Sequence, residues 1–144
     1  MQKARLQKVV DHLRKVRVKI ATEKLPAFNM EIWGEVEEPG VFKARKDLSC
    51  MTSACAIGHT AHLFKKQGFK LKLDSDEPDR LIPFYKTYYG IIAVSKFFDL
   101  TLEEADYLFH PSTYHYDVSI SEVADRIEDF IHGIKEKYVH WSTT

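Results

Sequence analysis

Cys50, Cys55, His59 and His62 fall within thirteen residues in the pattern C-x4-C-x3-H-x2-H, and of all the residues in this chain their types and spacing come nearest to chemistry. Thiolate and imidazole are preferred zinc ligands, and on a helix Cys55, His59 and His62 share one side. Structural zinc sites, however, usually draw ligand pairs from two separated segments, often opening C-x2-C, and four ligands from one turn and one helix strain a tetrahedral shell. A nucleophilic role needs a thiolate, which a helix N-terminus favours. Cys50 lies where such an N-terminus is expected, but His59 and His62 stand two turns away from it. Packing explains the same residues more simply. Ala54, Cys55, Gly58 and Ala61 form a narrow strip of small side chains along one helix side, where another element approaches closely, and a buried free cysteine behaves as a small hydrophobe. No metal and no cofactor are expected; were zinc bound, these four residues would be its site.

Two further groups suggest binding rather than catalysis. Residues 1–24 carry Lys8, Arg14, Lys15 and Arg17 among other basic residues against Asp11 and Glu23, a local cationic surface of the kind that releases counterions from nucleic-acid phosphates. No helix-turn-helix, ribbon or single-strand module is recognisable beside it. Farther along, Arg80, Tyr85, Lys86, Tyr89, Tyr114 and His115 combine rings that stack on bases with cations that pair with phosphate, and they suggest a pocket for a planar anionic ligand such as a nucleotide. The acidic run DSDEPD lacks the glycine and terminal glutamate of an EF-hand loop, so calcium is not expected there.

These residues must be positioned by a chain of 144 residues, enough for one domain that buries about 68–70% of its unfolded surface. Lys plus Arg equals Asp plus Glu at 21 each, so any electrostatic partner is met locally and not by a whole-molecule field. MQKARLQKVV has no apolar leader region, and no window approaches the ~18 apolar residues of a membrane span, which points to a cytoplasmic protein with reduced thiols.

Leu6, Val9, Val10, Leu13, Val16 and Ile20 repeat at three and four, one stripe of an amphipathic helix. Residues 25–47 are punctuated by Pro26, Pro39 and Gly40 and read as an irregular segment with one short strand, Phe28, Met30 and Trp33 folding back onto the core. A helix is expected from Ser49 or Thr52 as N-cap to about Lys66, stopped by Gly68. Phe69, Leu71 and Leu73 alternate as in a half-buried strand. IPFYKTYYGIIAVSKFF is apolar on nearly every side and reads as one central helix. Thr101 with Glu104, and Ser119 with Glu122, are capping boxes that start two more helices, Leu100 stapling onto Ala105. The last of these buries Ile120, Val123, Ala124, Ile127, Phe130, Ile131 and Ile134.

Three separated blocks resemble a known pattern. FNMEIW resembles F-D-M-x-x-W; CMTSACAIGHTA resembles C-G-T-x-x-C-I-A-G-W-A; FFDLTLEEADYLF with VADRIEDFI resembles an L-L-G-L-T, alanine, L-F run followed by an arginine-isoleucine helix. Together they are similar to a family of small, largely uncharacterised helical proteins of bacteria and their phages, over about Phe28 to Ile131. The resemblance implies shared architecture and brings no reaction or catalytic residue. Met51 stands where that family has glycine, Asn29 where it has aspartate and His59 where it has tryptophan, and a position that takes tryptophan argues against an obligatory metal ligand.

The expected architecture is mainly α: a compact single domain over residues 1–144, a bundle of about five helices with a small two-stranded β element. It comprises a basic helix in 1–24, the irregular 25–47 and a helical core in 48–138. The expected function is a non-enzymatic cytoplasmic binding module, a phage or prophage accessory factor for a protein or small-molecule partner. Nucleotide sequestration by the aromatic group and nucleic-acid binding by the first helix are the alternatives. No membrane partner is expected, and the aromatic loops 28–42 and 110–116 suggest an interface such as a homo-oligomer would use.

Overall fold

Period-3.6 apolar stripes account for the two longest helices. The computed structural model describes residues 1–16, 27–28, 35–36, 51–54, 56–73, 81–115 and 118–134. Helix α1, Lys3–Val16, buries Leu6, Val9, Val10 and Leu13 completely, and it lies along the C-terminal helix α5, Ile120–Ile131, whose Val123, Ala124, Ile127, Phe130 and Ile131 face it in a common core. Between them come β1 (Ala27–Phe28), β2 (Glu35–Val36), β3 (Met51–Ala54), α2 (Ala56–Phe64), β4 (Phe69–Leu73), β5 (Leu81–Tyr85), β6 (Tyr88–Tyr89), α3 (Ile91–Phe98) and α4 (Leu102–Phe109). Helix predominates, as expected, and five α-helices are present among the described residues.

The β structure is larger than the expected two-stranded element. One three-stranded sheet runs β1-β3-β2, with β1 parallel and β2 antiparallel to β3. The other runs β4-β5-β6, entirely antiparallel. Among the described residues two short strands, not one, occur in the segment between 25 and 47, and Met30 and Trp33 lie outside the described residues.

Local signals near helix ends hold. Both capping boxes form: the Glu104 amide donates to Thr101 Oγ1 at 3.0 Å and the Glu122 amide to Ser119 Oγ at 3.1 Å, with each glutamate accepting from the cap amide in return. Leu100 and Ala105 are buried in the same cluster, as the staple requires. Gly68 ends the 3-10 turn Lys65–Gln67 at φ 87, where a side chain would be strained. Because the Ser119 cap satisfies an amide that has no helical partner, Ser119→Ala is expected to lower stability by about 1 kcal/mol. A urea titration reads this, and a midpoint equal to the wild type would show that the first turn of α5 is held by packing alone.

Three expectations fail, each for a tertiary or turn-level reason. First, the helix expected from Ser49 or Thr52 begins only at Ala56, because Met51–Ala54 is captured as the central strand of the first sheet. The residue after Cys50 therefore opens a strand and not a helix, and Cys50 itself lies outside the described residues. Ala54 leaves the small-residue strip, while Gly58 and Ala61 remain buried on α2 beside Ala56 and Ile57.

Second, the apolar run 82–98 is not one helix. Lys86, at φ 56, turns β5 into β6 through a two-residue connection closed by Tyr85 opposite Tyr88, and Gly90, at φ 68 and ψ −148, starts α3. That combination is essentially open only to glycine. An apolar run without clear period is ambiguous between helix and strand, and its aromatic, Pro-containing first half belongs to strands.

Third, Ile134 is 42% exposed, since α5 ends at Ile131 and Gly133 turns the chain away at φ 78.

Candidate binding surface

Strand alternation divides the second sheet into two chemically different faces. Phe69, Leu71, Leu81 and Pro83 are buried and Tyr85 half-buried on the inner face, where Tyr85 meets the Phe97 ring edge-on at 5.1 Å and Phe69 lies 4.7 Å from it. The outer face is formed by the alternate residues: Lys70 and Lys72 on β4, Ile82 and Phe84 on β5, Tyr89 on β6. The register pairs Lys70 with Phe84 and Phe84 with Tyr89, so a cation and two rings form one row across three strands. Directly paired residues of neighbouring antiparallel strands present their side chains on the same face at about 4.5–5.5 Å. The Phe84 and Tyr89 rings are 5.8 Å apart and inclined by 31°, Lys72 Nζ sits 4.6 Å over the Phe84 ring, and Tyr89 is 64% exposed. Such a surface offers a π-face for stacking and ammonium groups for an anion.

The ligand group expected from sequence is divided between two places. Tyr89 belongs to the outer face and Lys86 to the turn beside it, its ammonium 5.2 Å over the Tyr85 ring, while Tyr85 itself serves the core. Tyr114 and His115 lie instead on the segment before α5. There the guanidinium of Arg126 is sandwiched between Tyr114, 3.7 Å from the ring centre, and Tyr107, 4.6 Å away. Tyr114 donates its hydroxyl hydrogen to the Leu108 carbonyl at 2.6 Å, and His115 Nε2 meets Glu122 Oε2 at 2.8 Å. The bond from His115, together with the Ser119 amide, holds the Glu122 carboxyl below the usual carboxylate range. Tyr114 is thus a framework residue. Arg80 lies outside the described residues.

Arg126 itself went unrecognised as a structural residue in the sequence. Only 8% exposed, it donates to the Tyr107 carbonyl at 2.8 Å and the Thr113 carbonyl at 2.9 Å, with Thr113 Oγ1 3.0 Å from Nη1. Burial raises the neighbouring Tyr107 phenol to about 12, although the charge of Arg126 works the other way. Nothing in VADRIEDFI distinguishes this arginine from a solvated one, because its partners are backbone carbonyls of another element.

The basic first helix keeps less charge than its composition suggests. Arg14 is ion-paired with Asp125 at 3.0 Å and Glu128 at 2.9 Å on α5, and Arg5 donates to the Phe97 carbonyl at 2.6 Å while lying 4.1 Å over the Phe97 ring. Lys8 and Lys15 remain exposed, and Arg17 lies outside the described residues. A cleft of about 490 Å³ near the start of α1 is lined by Met1, Lys3, Glu104 and His132 beside Phe130 and Ile131, groups of both signs. No protein-family model, curated protein or solved structure matches the chain. Function must therefore be read from the side chains.

Among the described residues no group of three or more His, Cys, Asp or Glu could hold a metal ion; Cys50, Cys55 and the side chains of His59 and His62 lie outside them. Among the described residues, too, no helix is long and apolar enough to cross a membrane. Lys70 and Lys72 are not among the binding residues expected from sequence, because the run that pairs with β4 reads as a helix. The signal that would have found them is a local excess of charge: residues 56–98 contain six lysines and Arg80 against four carboxylates, all within 74–79.

Proposed function

We propose that the chain is a non-enzymatic binding module that takes an anionic, ring-bearing ligand of the nucleotide class on the outer face of β4, β5 and β6. The observation that carries this reading is the row Lys70, Phe84, Tyr89, in which an exposed ring, a half-exposed ring and a cation share one solvent face. Large aromatic side chains left exposed on a soluble surface forgo burial energy, and lysines beside them supply the charge that selects an anion. The same proposal includes a cytoplasmic accessory role in a bacterium or its phage, supported by the three motif blocks alone.

Titration calorimetry with a nucleoside monophosphate tests it. Stacking of one base on an aromatic side chain is worth about 1–3 kcal/mol, so Tyr89→Ala should weaken binding by about fivefold or more. Because Tyr89 is largely exposed, its removal should leave the melting temperature nearly unchanged. Equal affinity in wild type and Tyr89→Ala, or no binding of any nucleotide, would sink the reading.

A further inference from the structure

We infer that the ligand of the β4–β6 face is single-stranded nucleic acid, bound as a chain and not as one nucleotide. This rests on the reading above and adds two observations to it. The first is a segregation of charge along the chain. The chain as a whole is neutral, yet residues 56–98 carry Lys65, Lys66, Lys70, Lys72, Lys86, Lys96 and Arg80 against Asp74, Asp76, Glu77 and Asp79, and all six lysines are exposed. Residues 99–134 carry nine carboxylates with Arg126 as their one basic residue of the Lys or Arg type, and it is there that Arg14 of α1 finds its partners. The ion pairs of the described residues involve none of the six lysines. The cations of α1 are thus partly neutralised by the fold, whereas Lys70, exposed on the outer face, has no ion pair among the described residues and can meet a polyanion.

The second observation is shape. Lys70 and Lys72 stand two residues apart on one face, about 6.4–6.8 Å along the strand, close to the separation of neighbouring phosphates in an extended strand. Beside them Tyr89 presents an exposed ring on which a base can stack, with Phe84 packed against it and Lys72 over the Phe84 ring. A duplex hides its base faces within the stack and offers neither ring a partner, so the unpaired strand is favoured.

Fluorescence anisotropy with labelled 12-residue oligothymidylate and oligouridylate, a 12-base-pair duplex and unlabelled thymidine monophosphate as competitor decides it. The expected result is at least tenfold tighter binding of a single strand than of either the duplex or the mononucleotide. The two labelled strands tell DNA from RNA by which binds more tightly. For three to five neutralised phosphates, log K should fall against log salt with a slope of about −2 to −3.5. Tyr89→Ala should weaken the single strand by about fivefold or more, and Lys70→Gln should flatten the slope by about 0.7. A mononucleotide that competes as tightly as the 12-mer binds, with Tyr89→Ala weakening both, overturns the inference and leaves the nucleotide reading standing; failure of every ring-bearing ligand overturns both. Displacement of the oligonucleotide by polyglutamate with no effect of Tyr89→Ala also overturns it, in favour of an acidic protein partner.

Discussion

Phe97→Ala is expected to cost about 3–5 kcal/mol, the range for deleting a fully buried phenyl ring that its surroundings cannot collapse onto. Phe97 has no exposed surface and is the hub of an aromatic cluster, with Phe64 edge-on at 4.9 Å, Phe69 at 4.7 Å, Tyr85 at 5.1 Å and Phe98 at 5.1 Å. Those neighbours come from α2, β4, β5 and α3, so no single element can move into the space without disturbing the others. The ring also carries the guanidinium of Arg5 from α1. For a chain of this length the loss corresponds to a fall in melting temperature on the order of 10 °C or more. Differential scanning calorimetry measures it, and a fall of only a few degrees would show that the cluster repacks. Since the inner face of the β4–β6 sheet rests on this ring, the variant is also expected to loosen the outer face, which is why Tyr89 and not Phe97 is the residue with which to test binding.

Arg126→Ala should have an effect of similar size for a different reason. Removing the guanidinium takes away the donors that satisfy the Tyr107 and Thr113 carbonyls, and each buried acceptor left without a donor costs about 1–3 kcal/mol. The stacking on Tyr107 and Tyr114 is lost as well, at about 0.5–2 kcal/mol per cation–ring contact. The expected loss is about 3–5 kcal/mol, read as a shift of the urea midpoint. Arg126→Lys separates charge from geometry: an ammonium keeps the charge but cannot present a planar fork to two carbonyls, so it should restore less than half of the loss. A lysine variant as stable as wild type would show that charge alone, and not the bracket between α5 and the segment after α4, is what matters.

The two variants mark where local information runs out. Both capping boxes, the φ of Gly68 and the alternation of β4 involve residues at most four apart, and all of them hold. The opening of α2 and the split of residues 82–98 were misread because apolar and small residues suit either structure. The decision fell to pairing: β3 completes one sheet, and β5 completes another against β4. The same misreading hid the row Lys70, Phe84, Tyr89. A helix over 82–98 would have scattered Phe84 and Tyr89 around its axis, whereas the two-residue turn at Lys86 sets them opposite one another.

By itself the sequence determined the amphipathic stripes of α1 and α5, the positions at which α4 and α5 begin and the half-buried strand β4. Each of these depends on side-chain type and on spacings of a few residues. Which charges are neutralised and which rings stay at the surface was decided only in the tertiary structure. Arg14 meets Asp125 and Glu128 across 111 and 114 residues of chain, and Arg126 is buried by carbonyls 13 and 19 residues away. Exposure, ion pairing and the sharing of a face belong to elements packed together, and their energies arise from contacts that no local pattern encodes.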